Sequence, residues 1–202
     1  MKTVLHLNSS IFGDSGQSSR LAKAFIGQLP PAKVVTRDLG THPLPHLDAE
    51  RFGAFLSQPE TRTPAQQQVL NESDALVAEL KVADTIVLGL PMYNFGVPSQ
   101  LKAYFDHVAR AGVTFKYTEK GAVGLLTGKK AYVFAARGGL YQGTPRDTQT
   151  AYVRDFLSFL GVTDVQFVYA EGLAIGEASK TESLAAAQRS LRSLAQPERI
   201  AA

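Results

Sequence analysis

The chain has 202 residues, of which 45% are hydrophobic and 19% are charged, and it contains no cysteine, which excludes disulfides, thiolate catalysis and cysteine-ligated metal sites. The net charge is only +3, and the longest basic run, Lys129-Lys130, is too short for a nucleic-acid-binding stripe. Since no apolar stretch approaches the ~20 residues that span a bilayer, we expect a soluble, cytoplasmic protein that binds neither nucleic acid nor membrane, folded as a single domain over residues 1–202.

Five short apolar runs predict β-strands, and segments with helical periodicity lie between them. The strands are expected at residues 3–7, 33–36, 85–90, 130–136 and 165–170. The helical faces fall within residues 21–29, 69–80, 101–108, 156–160 and 178–195. Strands without clean alternation, separated by helices, are typical of a parallel sheet covered on both faces. The pattern therefore predicts an α/β fold of flavodoxin type, a doubly wound five-stranded parallel sheet.

Helix starts and long connections are also marked. Thr63-Pro64-Ala65-Gln66 has the pattern of a capping box with a first-turn proline. Ser18 or Ser19 is expected to cap the first helix, and Pro98 to open the third. The connections 40–62 and 113–129 are longer than a simple link requires, and the second predicts a hairpin. Both are candidate lids or binding loops.

In a doubly wound sheet, ligands bind outside the carboxyl ends of the strands, where the strand order reverses. The first loop there, "NSSIFGDSGQSSR" from Asn8 to Arg20, is rich in Ser and Gly and leads into a helix. Free N–H groups, hydroxyls and the positive end of the helix dipole predict a phosphate site. A polar turn that only caps the helix is the alternative.

The second loop carries Met92, Tyr93, Asn94 and Phe95, and it has no acid, base or nucleophile. Apolar surface with a single amide suits a flat, uncharged heteroaromatic ring, which the backbone groups could bind at its edge. The alternative is that the aromatic residues simply belong to the core.

The third loop contains Arg137, Gly138 and Gly139. The two glycines allow backbone amides to approach a ligand closely, and the arginine offers a fixed cation. A glycine turn with a surface arginine is the alternative. Taken together, the three loops predict an FMN site. No catalytic side chain is then needed, because the cofactor carries the redox chemistry.

The four histidines, His6, His42, His46 and His107, lack the spacing of metal ligands. We therefore expect no metal site. His107 is expected on the polar side of its helix, either facing solvent or in a structural role.

Several motifs resemble one family along essentially the whole chain. They are Pro91-Met92-Tyr93-Asn94-Phe95, Gln100-Leu101-Lys102, "ARAGVTFKYTEKG" from Ala109, Arg137-Gly138-Gly139 and "TDVQFVYAEG" from Thr163. With these motifs the sequence resembles the bacterial FMN-dependent NADH-azoreductases, which are related to the flavodoxin-like NAD(P)H:quinone oxidoreductases. The resemblance implies a homodimer with FMN at the subunit interface. It also implies two-electron ping-pong hydride transfer from NADH or NADPH to a quinone or azo compound.

The resemblance further implies which residues contact the ligands. The cofactor-binding residues are Ser10, Gly16, Gln17, Ser18, Met92, Tyr93, Asn94, Phe95, Ala136, Arg137, Gly138 and Gly139. Tyr117 and Phe159 are the implied aromatic residues around the substrate. Gly16 and Ala136 stand where the family often has serine, so two hydroxyls near the flavin are missing. Because backbone donors remain, we expect altered contacts rather than loss of FMN.

Two other functions stay open at this point. One is a flavodoxin-like carrier that exchanges single electrons with protein partners, although such carriers are usually acidic and compact. The other is a nucleotide-binding or regulatory module without turnover.

Overall fold

The structure, a computed structural model, describes residues 1–200 and the side chains of residues 1–196. The strands are β1 (Thr3–Asn8), β2 (Lys33–Asp38), β3 (Thr85–Pro91), β4 (Phe115–Thr118), β5 (Gly121–Gly124), β6 (Lys130–Ala136) and β7 (Asp164–Ala170). The helices are α1 (Gln17–Ile26), α2 (Ala49–Leu56), α3 (Pro64–Val82), α4 (Ser99–Val108), α5 (Thr150–Leu160) and α6 (Glu177–Ile200).

Five strands form one parallel sheet in the order β2-β1-β3-β6-β7. This confirms the predicted flavodoxin-like doubly wound fold, and each of the five predicted strands lies within two residues of its observed bounds. The strand order reverses between β1 and β3, since β2 is added on one side of β1 and all later strands on the other. The ligand crevice of such a sheet opens at this reversal.

Helices cover both faces of the sheet because alternate side chains of each central strand point to opposite sides. Leu88 and Val133 belong to a core packed against α3, α4 and α5. Val87 and Phe134 belong to a second core packed against α1 and α6. Full burial of each such side chain contributes about 1.5–3 kcal/mol, so both layers hold the strand ends in place.

Helices α3 and α4 begin next to the residues that the sequence marks as helix starts. The capping box is confirmed: the Thr63 hydroxyl accepts from the Gln66 N–H at 3.3 Å, and the Thr63 N–H donates to Gln66 Oε1 at 2.9 Å. Pro98 occupies the N-cap position of α4, one residue before the helix begins at Ser99.

Both long connections contain regular structure. The predicted hairpin within residues 113–129 is confirmed as the antiparallel pair β4–β5. It lies hard against the end of α5, because a Cβ added to Gly124 would stand 2.0 Å from the Gly161 nitrogen. The connection 40–62 contains α2, whose N-cap Asp48 accepts from the Arg51 N–H at 2.8 Å. Whether either segment acts as a lid stays a prediction.

The expectation that His107 lies on a polar helix side is wrong. Its side chain is fully buried, its Nδ1 stands 2.8 Å from the Ala103 carbonyl oxygen, and its ring meets the edge of Phe55 at 6.4 Å between centroids. Phe55 belongs to α2, the helix that sequence periodicity did not reveal. Helix α2 therefore packs over this side of α4, and His107 has a structural role.

Between residues 1 and 200, no helix is both long enough and apolar enough to cross a membrane.

Candidate functional site

The carboxyl ends of β1, β3 and β6 bring the three predicted loops to one edge of the sheet. Asn8 is in register with Gly89 at the ends of β1 and β3, and Pro91 is in register with Ala136 at the ends of β3 and β6. The Met92 N–H donates to the Ala136 carbonyl oxygen at 3.1 Å, so pairing continues past the strands. The three loops therefore form one rim, which we call the crevice rim.

The N-terminus of α1 is left without a side-chain cap. Gly16 occupies the N-cap position and makes no capping side-chain hydrogen bond. The prediction that Ser18 or Ser19 caps this helix is wrong, because both lie inside its first turn. The N–H groups of residues 17–19 have no partner within the helix and point out of its end, where the helix dipole is positive.

Ser18 and Ser19 are both fully buried, but their hydroxyls differ. Ser19 Oγ donates to Asn8 Oδ1 at 2.6 Å, which ties α1 to the end of β1. Ser18 Oγ has no hydrogen-bond partner among the described residues. An unpaired buried hydroxyl costs about 1–3 kcal/mol, so this atom is expected to meet a ligand. With the free N–H groups beside it, the position fits a phosphate.

Ser10 leaves no room for a side chain at Gly16. A Cβ added to Gly16 would stand 2.3 Å from Ser10 Oγ. That hydroxyl accepts from the Phe12 N–H at 3.2 Å and lies 3.4 Å from the Tyr93 hydroxyl. The space that a side chain at position 16 would need is therefore filled by Ser10.

The second loop is a tight two-residue turn. Tyr93 and Gly96 exchange hydrogen bonds of 3.2 and 2.9 Å, and between them Asn94 and Phe95 have φ angles of +48° and +63°. Such turns normally prefer Asn-Gly, and a phenylalanine in this region is strained by about 1–3 kcal/mol. Strain of this kind persists only where the surroundings impose it.

The tip of this turn is available to a ligand. The side chains of Asn94 and Phe95 are exposed, with 52% of Phe95 accessible. Within the described part of the chain, neither the N–H groups of these two residues nor the Asn94 amide makes a hydrogen bond. The apolar ring and the free donors predicted for a heteroaromatic ligand thus occur together, beside the half-buried Met92.

Tyr93 connects the first loop to the second. Its hydroxyl accepts from the Ile11 N–H at 3.3 Å and lies 3.4 Å from Ser10 Oγ. Residues 16–19, which we call the phosphate cradle, and the apolar turn are therefore held at a defined separation.

The third loop is joined to the second by aromatic contact. The ring of Tyr141 meets the edge of Phe95 at 5.7 Å between centroids. A Cβ on Gly139 would stand 2.7 Å from the Tyr141 ring, so glycine is required for this packing. Gly138 is exposed at the rim, and Ala136 is buried beneath it.

Arg137 was expected to offer a fixed cation to the ligand, but its side chain is fully buried. The guanidinium binds Asp147 at 2.8 Å and Glu171 at 3.0 Å, and its Nε donates to Gln149 Oε1 at 3.1 Å. Burial by itself would raise the pKa of the Asp147 carboxyl. The hydrogen bonds from Arg137 and Thr150 outweigh burial, so the pKa lies below its ordinary value. The arginine is thus neutralised inside the protein, and any direct contact with a ligand would compete with these partners.

The segment that precedes α5 also contacts the second loop, although no sequence motif predicted this role. Thr148 Oγ1 donates to the Phe95 carbonyl oxygen, and Gln149 Nε2 donates to the carbonyl oxygens of Pro91 at 2.9 Å and Gly96 at 3.0 Å. The polar run "GTPRDTQT" immediately before an amphipathic helix is the only signal that could have marked it.

Tyr117 and Phe159 do not join the crevice rim of the same chain. Both pack on Phe115, at centroid distances of 5.4 and 4.3 Å. Phe159 lies ten residues beyond Gln149 along α5, so a rise of 1.5 Å per residue separates it from the rim by roughly 15 Å. Tyr117 is 74% exposed and lines a cavity of about 330 Å³ between α2 and the hairpin.

Across the described residues, no three His, Asp or Glu side chains are grouped closely enough to hold a metal ion.

Comparison with known proteins gives consistent matches. The chain matches the family described as Flavodoxin-like fold over residues 2–195. An FMN-dependent NADH:quinone oxidoreductase of Cellvibrio japonicus (strain Ueda107) is 53% identical over 195 residues, covering 95% of this chain and 97% of that protein. A protein of the same name from Alcanivorax borkumensis is 54% identical over 192 residues, covering 93% and 97%. The crystal structure of an FMN-dependent NADH-azoreductase from Bacillus anthracis in complex with FMN gives a TM-score of 0.88 at 30% identity, covering 98% of this chain and 99% of that chain.

Proposed function

We propose that this chain, which belongs to the Flavodoxin-like fold family together with the FMN-dependent NADH:quinone oxidoreductases, binds FMN and transfers two electrons from NADH to quinones and azo compounds. The resemblance to the azoreductase family is confirmed by these relatives. Their names refer to oxidoreductases, and none of them supports the alternative of a one-electron carrier.

One observation carries the proposal. A buried, unpaired hydroxyl at an uncapped helix start lies on the same rim as a strained turn with an exposed aromatic ring and free donors. The first feature fits a phosphate, and the second fits one edge and face of a planar ring. FMN carries both groups in one molecule.

We assign two groups of residues to two different parts of the cofactor. We propose that Ser10, Gly16, Gln17 and Ser18 hold the phosphate, chiefly through the N–H groups of residues 17–19 and the Ser18 hydroxyl. Because this group carries a negative charge, the positive end of α1 favours it.

The ring is assigned to the other two loops. We propose that Met92, Tyr93, Asn94 and Phe95 provide its apolar support and its edge donors, and that Ala136, Gly138 and Gly139 allow the backbone to approach it. Arg137 supports that loop from beneath through its buried ion pairs.

When bound, FMN supplies the redox chemistry between the nicotinamide and the acceptor. The chain's part is to orient both substrates in turn at an uncharged surface, in a ping-pong sequence. The free donors of the Asn94-Phe95 turn would stabilise negative charge that develops on a ring edge. No side chain of the rim is required as an acid or base.

We further propose that the active unit is a homodimer. Tyr117 and Phe159 stand away from the rim of their own chain, although the family resemblance assigns them to the substrate. A second copy could bring them to the first copy's rim. The exposed apolar residues near Tyr117 would then be covered; they are Phe52, Leu56, Val123 and Leu125. We also propose that the chain forms a single domain, works in the cytoplasm and binds no nucleic acid.

The proposal is tested by anaerobic mixing. Purified protein reconstituted with FMN is mixed with NADH and then with a benzoquinone or an azo dye, while flavin absorbance is followed. Rapid bleaching by NADH and complete recovery on addition of the acceptor are expected. Failure to retain FMN would refute the proposal, and a slow reaction with NADH together with a persistent radical signal would favour the electron carrier. NADPH is run in parallel, so that the rates of flavin reduction by the two donors are compared directly.

The dimer has its own test. Sedimentation velocity should give twice the chain mass. Mixed dimers are prepared from one chain that binds FMN and one chain that does not. Tyr117→Ala placed only in the chain without FMN should still lower quinone turnover. A monomer that turns over normally would contradict the dimer proposal alone.

A further inference from the structure

The Asn94-Phe95 turn is strained, and its own hydrogen bonds do not account for its shape. The two bonds between Tyr93 and Gly96 close a two-residue turn, but they do not offset a left-handed phenylalanine. An L-residue with a bulky side chain leaves this region unless other contacts hold it there. Something outside the turn must therefore fix its conformation.

Gln149 is placed to do this. It is fully buried, and its Nε2 donates to the carbonyl oxygens on both sides of the turn, Pro91 at 2.9 Å and Gly96 at 3.0 Å. An amide nitrogen has two hydrogens, so both donors are used. The two carbonyls belong to residues that flank the turn, and a single group thus holds its two ends together.

The direction of this amide is determined by Arg137. Gln149 Oε1 accepts from Arg137 Nε at 3.1 Å, while the same guanidinium is held by Asp147 and Glu171. A flipped amide would face its NH₂ group toward the Nε–H of Arg137 and its oxygen toward two carbonyls. The buried arginine therefore excludes the flipped arrangement.

A second contact acts from the solvent side. The exposed Thr148 donates through Oγ1 to the Phe95 carbonyl oxygen. Adjacent residues of one segment thus bind three carbonyls in and around the turn. Asp147 anchors that segment by accepting from the Gln149 and Thr150 N–H groups at 3.3 and 3.0 Å.

We propose that Gln149 is a positioning residue for the flavin ring, acting through the Asn94-Phe95 turn and not by touching the ligand. This inference rests on the proposed function. Arg137 orients the amide, the amide fixes the ends of the turn, and the strained turn presents the Phe95 ring and the two free N–H groups. The buried arginine then serves ring binding indirectly, without acting as a ligand cation.

The test begins in the flavin-free protein. Gln149→Met keeps the length of the side chain but removes both donors and the Oε1 acceptor for Arg137, whereas Thr148→Val removes the exposed contact without touching the core. Hydrogen exchange followed by mass spectrometry should show faster exchange in the peptide containing residues 93–97 in both variants. Gln68→Met, the matched change on the exposed face of α3, should leave this peptide unchanged.

The second readout is ligand affinity. Loss of the two buried hydrogen bonds to the turn is expected to weaken FMN binding by Gln149→Met roughly 10- to 100-fold. Riboflavin binding should weaken by the same factor, because the turn serves the ring and not the phosphate. A change in FMN affinity alone would place Gln149 with the phosphate cradle and overturn the inference.

Unaltered exchange at residues 93–97 in a folded Gln149→Met protein would also overturn it, as would wild-type affinity for both flavins. If that variant does not fold, Thr148→Val decides by the same two measurements. Failure of the proposed function is distinguishable, since the wild-type chain itself would then not bind FMN while the exchange result would still stand.

Discussion

Replacing Ser18 tests the phosphate assignment, because the substitution should stabilise the flavin-free protein and weaken its binding of FMN. In the flavin-free protein this buried group has no partner, whereas the adjacent Ser19 hydroxyl donates to Asn8 at 2.6 Å. Ser18→Ala removes an unpaired polar atom and Ser19→Ala removes a paired one. The two variants delete the same atom from neighbouring buried positions, so each is the control for the other.

The magnitudes follow from these contacts. Leaving a buried hydroxyl unpaired costs about 1–3 kcal/mol, so Ser18→Ala is expected to stabilise the flavin-free protein by about 1 kcal/mol. For a chain of this size that is a rise in Tm of about 2–4 °C. Ser19→Ala is expected to lower the free energy of unfolding by about 1–2 kcal/mol, because Asn8 loses its partner.

FMN binding should change the other way. A hydrogen bond to a charged group contributes about 1.5–3 kcal/mol, so Ser18→Ala should raise the Kd for FMN roughly 10- to 100-fold. Its Kd for riboflavin, which lacks the phosphate, should stay at the wild-type value.

Two assays decide the matter, thermal unfolding of the flavin-free variants and fluorescence titration with FMN and with riboflavin. The reasoning is refuted if Ser18→Ala lowers Tm as Ser19→Ala does. It is refuted as well if FMN and riboflavin lose affinity equally.

Three further variants test other parts of the structure. Phe95→Asp should abolish flavin retention, because a carboxylate would be desolvated against the ring; normal FMN content after gel filtration would contradict this role. Gly16→Ser should lower Tm in the flavin-free protein, since its Cβ would stand 2.3 Å from Ser10 Oγ, and a paired Ser10→Gly change should recover the loss. Burial, and then the charge of Lys23, lowers the pKa of His6 in the folded chain. Its contribution to stability is therefore complete above about pH 6.5 and is lost as pH falls toward the folded-state pKa, with a slope of at most about 1.4 kcal/mol per pH unit. His6→Leu should remove this pH dependence of the unfolding free energy, measured by chemical denaturation at a series of pH values. An unchanged pH dependence would show that other groups cause it.

Short-range features were predicted well because their causes are local. The five sheet strands follow from continuous apolar runs, and the Thr63–Gln66 capping box depends on residues three positions apart. The β4–β5 hairpin follows from two apolar stretches around a glycine turn. The location of the three ligand loops also follows, since strand order in this fold class places them at one edge.

The errors have a common origin in distant neighbours. His107 is buried beneath α2, a helix with few periodic apolar positions. Ser18 and Ser19 are equivalent in the sequence, yet only the second faces Asn8. Nothing local indicates that Tyr117 packs on Phe115 away from its own chain's rim, and its place near the substrate stays a prediction.

The amino-acid sequence by itself determined the doubly wound sheet, the three loops at its carboxyl edge and the chemical character of the first two, because apolar periodicity and turn composition act over a few residues. Only the tertiary structure decided which polar groups are paired inside the protein and which are left for a ligand. Gln149 meets Pro91 across 58 residues of chain and Arg137 meets Glu171 across 34, and such partners depend on how the whole sheet is assembled. The unpaired hydroxyl of Ser18 is likewise visible only once every neighbour that could have bound it has been placed.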